Sequence, residues 1–191
     1  MTWYGQALEG ARRDGDRRAE AQALNGLGQS HRLAGRFAEA APFFERALEV
    51  REAIGHRRGA ALTRLCLGDL ALASGRYGEA VEPLTAARAG LLAAASDYDA
   101  ARALAFLGRA VALSRGDYVT AESQLRQALA EFESAGSAHW QGRVLEMLGE
   151  TAQERGHTAR ARDWYERSLA RYAPVSRTDA TRLEDRLREL G

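Results

Sequence analysis

Residues Leu27 to Leu48 read LGQSHRLAGRFAEAAPFFERAL. Within this stretch Leu27-Gly28 is followed by Gly35-Arg36-Phe37, then by Ala40, Phe44 and Ala47-Leu48. The series returns as Leu67-Gly68, Gly75-Arg76-Tyr77, Ala80, Leu84 and Ala87. It returns again as Leu107-Gly108, Gly116-Asp117-Tyr118, Ala121, Leu125 and Ala128-Leu129. A last copy is Leu148-Gly149, Gly156, Ala161, Tyr165 and Ser168-Leu169. Successive copies stand 40 residues apart, with a single 41. Self-similarity at a fixed period of this size is the signature of a stacked repeat array.

One copy reads as two helices in an antiparallel hairpin. Gly28 and Ala40, one small residue on each helix, are expected to let the two backbones approach closely. Gly35 ends the first helix, because glycine reaches the left-handed conformation without a Cβ clash. Phe37 plugs the turn, and Phe44, Ala47 and Leu48 continue an apolar stripe at i, i+3, i+4 spacing. A lone hairpin cannot bury both sides of that stripe, whereas stacked neighbours can.

Composition agrees. The chain has 191 residues, 46% of them hydrophobic. Alanine, the best helix former, makes up roughly a fifth of them. Three prolines and few β-branched residues argue against sheets, so the fold class is all-α. The net charge is +1, which gives no global field to draw nucleic acid or an anionic membrane. Every basic residue is arginine, as codon bias in a GC-rich genome would produce. Cys66 is the single cysteine, so no internal disulfide can form. No apolar run approaches 18 residues, and the expected location is the cytoplasm.

In chain order, residues 1–12 read as the second helix of an upstream repeat, since Tyr4 and Ala7-Leu8 precede Phe44 and Ala47-Leu48 by 40. The expectation is a chain that starts mid-array. Four repeats follow at 17–54, 57–94, 97–134 and 138–172, and a charged amphipathic helix at 178–190 suits a cap. Pro42 and Pro83 are read as first-turn prolines, where no helical N–H bond is lost. The third copy carries one extra residue between Gly108 and Gly116, which fits a longer turn or a π-bulge.

The Leu-Gly pair, the Gly-x-aromatic turn, the alanine three residues beyond it, and the aromatic-x-x-Ala-Leu of the second helix resemble the tetratricopeptide repeat family. Two features depart from it. The family's usual period is 34 against 40 here, and the last copy has Thr158 and Ser168 where others carry an aromatic and an alanine. HEAT-type repeats share the period but lack the Gly-x-aromatic turn. The long repeats, Glu39-Ala40, Glu79-Ala80 and the Gly55-His56-Arg57-Arg58-Gly59 linker look like two groups: sensor arrays of large actinobacterial regulators behind an NB-ARC-type ATPase, and LGN-like adaptors. The absence of lysine favours the bacterial group.

The resemblance implies a right-handed α-α superhelix of helix-turn-helix repeats, with a concave groove, lined by the first helix of each hairpin, that binds a peptide or partner domain. Helical spacing selects Gln22, Asn25, Gln29 and Arg32 in the first copy and Leu62, Leu65, Asp69 and Leu72 in the second. It selects Arg102, Ala105, Arg109 and Ala112 in the third, and Arg143, Glu146, Glu150 and Gln153 in the fourth. Asn25 and Gln29 suit a peptide backbone, and Arg102 with Arg109 suit a carboxylate clamp. No catalytic site, cofactor or metal is expected. Gly26-Leu27-Gly28 follows no strand and lacks a third glycine, so it is no dinucleotide loop. His31, His56, His139 and His157 lack metal-ligand spacing; His31 and Cys66 read as packed side chains. The alternative to a ligand groove is self-assembly, a homodimer or head-to-tail stack through the apolar end bearing Trp3, Tyr4 and Leu8.

Overall fold

The computed structural model describes residues 3–190. They form ten α-helices and no strand: α1 (Trp3–Asp14), α2 (Arg17–Leu33), α3 (Phe37–Ala53), α4 (Arg57–Ala73), α5 (Tyr77–Ala93), α6 (Asp97–Arg115), α7 (Tyr118–Ser134), α8 (Ala138–Glu154), α9 (Thr158–Tyr172) and α10 (Arg177–Glu189). The chain divides into two compact units, Met1–Phe106 and Leu107–Gly191, with the boundary inside α6. In the first, α2 pairs with α3 and α4 with α5, α1 packs on α2, and α3 on α4. In the second, α8 pairs with α9, α7 packs on α8, and α10 on α9.

Each second helix supplies the same two buried residues. Ala40, Ala80, Ala121 and Ala161 are fully covered, and so are Phe44, Leu84, Leu125 and Tyr165. The glycine of each Leu-Gly pair faces the second of these. A Cβ on Gly28 would lie 2.8 Å from the Phe44 ring, on Gly68 2.4 Å from Leu84 Cγ, and on Gly149 2.4 Å from the Tyr165 ring. The glycine therefore makes room for a large side chain, rather than for the opposite backbone as expected. Only at Gly108 does backbone close in, with the Ala121 carbonyl 3.1 Å from the position of a Cβ. Tyr4 rests on a different glycine, Gly26 of α2.

Two local expectations need correction. Pro42 and Pro83 are the sixth and seventh residues of α3 and α5, beyond the first turn. They forgo the bonds to the carbonyls of Ala38 and Glu79, both on exposed residues that water can reach. The extra residue of the third copy makes neither a longer turn nor a π-bulge. It lengthens α6 to 19 residues, against 17 in α2, α4 and α8. Gly116 N–H then bonds the Ala112 carbonyl in ordinary i→i−4 fashion, where Gly35 and Gly75 reach back only three residues.

The turn between repeats needs a left-handed residue. Gly15, Gly55 and Gly136 fill it at φ +69, +65 and +65°, but the α5–α6 turn places Ala95 there at φ 50°. An L-residue in this region is strained by roughly 1–2 kcal/mol. Glycine returns part of that through its freer unfolded chain. Ala95→Gly is thus expected to stabilise the first unit by about 0.5–1 kcal/mol. Urea unfolding checks it, and an unchanged or lower midpoint would show the turn to be unstrained.

Candidate recognition face

Side chains seven apart on a helix lie within about 20° of one another, and those three apart differ by about 60°. The sixteen positions selected from the sequence therefore fall on two lines, not one. Helix by helix, Gln22 and Gln29, Leu62 and Asp69, Arg102 and Arg109, and Arg143 and Glu150 take the more open line of their own helix, half-buried except for the exposed Gln22. Asn25, Leu65, Ala105 and Glu146 turn toward neighbouring helices. Leu65, Ala105 and Glu146 are 2%, 0% and 0% exposed, so their side chains do not present to an incoming ligand. Ala112 is buried as well.

In the first unit the open line is cross-braced. Arg32 of α2 pairs with Asp69 of α4 at 3.3 Å and donates to Gln29 Oε1 at 3.2 Å. Arg102 donates to Asp99 at 2.9 Å, one turn earlier on α6. Asn25 sits in a polar knot instead of facing a peptide. Arg51 of α3 donates to Thr63 Oγ1 at 2.5 Å, to the Gly59 carbonyl at 2.8 Å and, more weakly, to Asn25 Oδ1 at 3.5 Å. The Asn25 amide donates to Cys66 Sγ at 3.9 Å. Burial pushes the Cys66 thiol above its usual pKa. His31 is half-buried and stacks on Phe43 with ring centroids 5.2 Å apart. At the end bearing α1, Leu8 is buried against α2 and Tyr4 packs beside it, so Trp3, at 72% exposure, is the one apolar side chain of that group left open.

In the second unit the open line is an ion network. Arg109 holds Glu154 in a two-pronged fork at 3.0 and 2.8 Å and reaches Glu150 at 3.2 Å. Burial alone would lower its pKa, but these carboxylates more than offset that and raise it. Arg109 thus makes the bidentate clamp its residue type suits, on the chain's own glutamate. Glu146 is fully covered. It accepts from Arg182 of α10, from Arg143 at 3.2 Å and from the Tyr172 hydroxyl at 3.3 Å. Burial would raise its pKa, and the arginine hydrogen bonds and charges hold it below the usual value. Arg186 of α10 bonds Glu150 at 2.9 Å and lies 5.2 Å over the Tyr165 ring. Burial pushes the Tyr165 hydroxyl up to about 12.

Arg182, Arg186 and Glu154 escaped the sequence reading. A signal existed: Arg182 and Arg186 stand four apart on α10, the spacing of Glu146 and Glu150 on α8. Arg109, Glu150, Gln153, Glu154 and Arg186 border a recess of about 270 Å³. Among the described residues no group of three His, Cys, Asp or Glu is placed to hold a metal ion, and no helix is long and apolar enough to cross a membrane.

Among solved structures, BtubC (BKLC) of P. vanneervenii shares the fold with a TM-score of 0.79 at 19% identity, over 98% of this chain and 80% of its own. A Podosopora anserina protein, described as a putative kinesin light chain with nearly identical TPR-like repeats, matches with a TM-score of 0.64 at 17% identity, over 88% of this chain and 93% of its own. A single-substitution variant of that protein gives the same TM-score at 16% identity. No curated protein matches the sequence. The tetratricopeptide repeat pattern itself matches residues 2–53, 21–93 and 99–173. With the glycines of its Leu-Gly pairs and its covered second-helix alanines accounted for in three dimensions, this chain belongs to the tetratricopeptide repeat family.

Proposed function

We propose that the chain is a peptide- or partner-binding module that works through the open line of its first helices, as the sensor or scaffold part of a larger bacterial regulator. Tetratricopeptide repeats generally mediate protein–protein interactions. The observation that carries the reading is the mixed chemistry of that line in the first unit. Gln22 and Gln29 offer amides, Leu62 is a half-buried apolar side chain, and Asp69 and Arg102 carry opposite charges. Such a strip can hydrogen-bond an extended or helical segment while gripping one apolar anchor. The lysine-free composition and long period support the bacterial setting.

The test uses peptides selected on the wild-type chain from a displayed random library. Leu62→Asp and Gln22→Ala should weaken the selected peptides tenfold or more without loss of helicity. Peptides that bind the variants as tightly as the wild type would place recognition elsewhere. Self-association through α1 is the second reading, favoured by the exposure of Trp3. Light scattering on the same preparations separates the two, since a monomer at high concentration removes the second.

A further inference from the structure

A second recess lies beside the α3–α4 turn, within the first unit. It has a volume of about 430 Å³, and its lining includes Arg51, Glu52, Arg57, Arg64, Ala60 and Gly90. The repeat explains why it is open. Moved back by 40 residues, Ala60 becomes Glu20, Gly90 becomes Val50 and Arg57 becomes Arg17. In that earlier copy the space holds a carboxylate. Glu20 is 3% exposed and accepts from Arg17 at 2.5 Å and from Arg12 at 3.2 Å. The second copy keeps Arg17 as Arg57, turns Arg12 into Glu52, loses the acid at Glu20 to Ala60, and trims the valine to glycine.

The charges left behind are unbalanced. Arg64 is taken by Glu52. Arg57 has no carboxylate partner among the described residues. Arg51 is half-buried, yet its hydrogen bonds run to a hydroxyl, a backbone carbonyl and an amide oxygen, all neutral. Its pKa is lowered by burial, as expected of a guanidinium short of counter-charge. Buried charges are ordinarily paired, because desolvation is costly otherwise.

We propose that this recess binds an organic carboxylate from outside the chain, seated against Arg57 and Arg51 where the preceding repeat seats its own Glu20. The volume falls in the range of small-molecule pockets. A free acid of a few carbons and the acidic side chain of a peptide supply the same chemistry. The site is separate from the open line of α2 and α4, so it stands or falls independently of the reading above.

Two measurements test it. The first restores the missing acid. Ala60→Glu should melt above the neutral Ala60→Gln, because only the former meets the arginines with charge; a melting point at or below that of Ala60→Gln overturns the proposal. The second titrates the full chain calorimetrically, with succinate in one arm and with a glutamate-containing hexapeptide in the other. At least one should bind saturably and lose tenfold or more in Arg57→Ala, an exposed position where folding is not at risk. Saturation by succinate identifies a free acid as sufficient, and saturation by the peptide alone identifies a side chain as the source. No saturable binding in either arm, or undiminished binding to Arg57→Ala, overturns it.

Discussion

Tyr165→Ala is expected to destabilise the second unit on the order of 3–5 kcal/mol. The side chain is fully covered, its hydroxyl donates to Gln153 at 2.8 Å, and its ring lies where a Cβ on Gly149 would sit at 2.4 Å. Truncation removes the ring from a site walled on one side by the α8 backbone at Gly149, which limits collapse into the cavity. The converse change, Gly149→Leu, should cost about 3 kcal/mol by overpacking. Together the two changes should destabilise by clearly less than their sum, because the leucine enters the space the ring has left. Guanidinium unfolding of the four proteins measures this. Additive effects would mean that Gly149 and Tyr165 do not answer to one another, and the close-packing account of every Leu-Gly pair would fail with them. Gly68→Leu makes the same case against Leu84, at about 1–3 kcal/mol.

The second large effect concerns α10. Arg182→Ala should cost about 2–3 kcal/mol, below the usual range for breaking a buried pair. The discount has two sources: Arg143 and Arg186 remain near Glu146, and the Arg182 side chain is 45% exposed. The loss should concentrate in α10, which carries two of the three arginines and buries only Ala180 and Leu183. Amide exchange in α10 should therefore rise well above that of α8. The pH dependence has a fixed sign. Glu146 is held below the ordinary glutamate value of 4.5, so its contribution is complete above that value and is lost as pH falls through the depressed folded value. Acid should release α10 first in the wild type. Glu146→Gln should flatten this part of the acid profile, and an unchanged profile would assign the acid sensitivity to other carboxylates.

The sequence by itself determined the architecture. The period, the glycine at each turn and the alanine three past each turn aromatic fix a helical hairpin, since each is a local steric demand that reads directly from residue type. The C-terminal helix expected at 178–190 runs Arg177–Glu189, whereas the first helix, expected to end at residue 12, continues to Asp14. Tertiary structure decided what the polar residues do. Gln22 and Asn25, or Arg109 and Glu146, look alike as members of a helical face, but a rotation of about 60° separates open from covered. Which way each line turns depends on the neighbouring repeat. The partners of Arg109 and Glu146 lie 45 and 36 residues away. The matched four-residue spacing on α8 and α10 permits such a pair without specifying it, because the pair forms only after packing has set the helices side by side. The recess beside Arg51 lies at the meeting of both: its open space follows from Ala60 and Gly90 in the repeat register, and its unbalanced charge appears only when α3 is laid against α4.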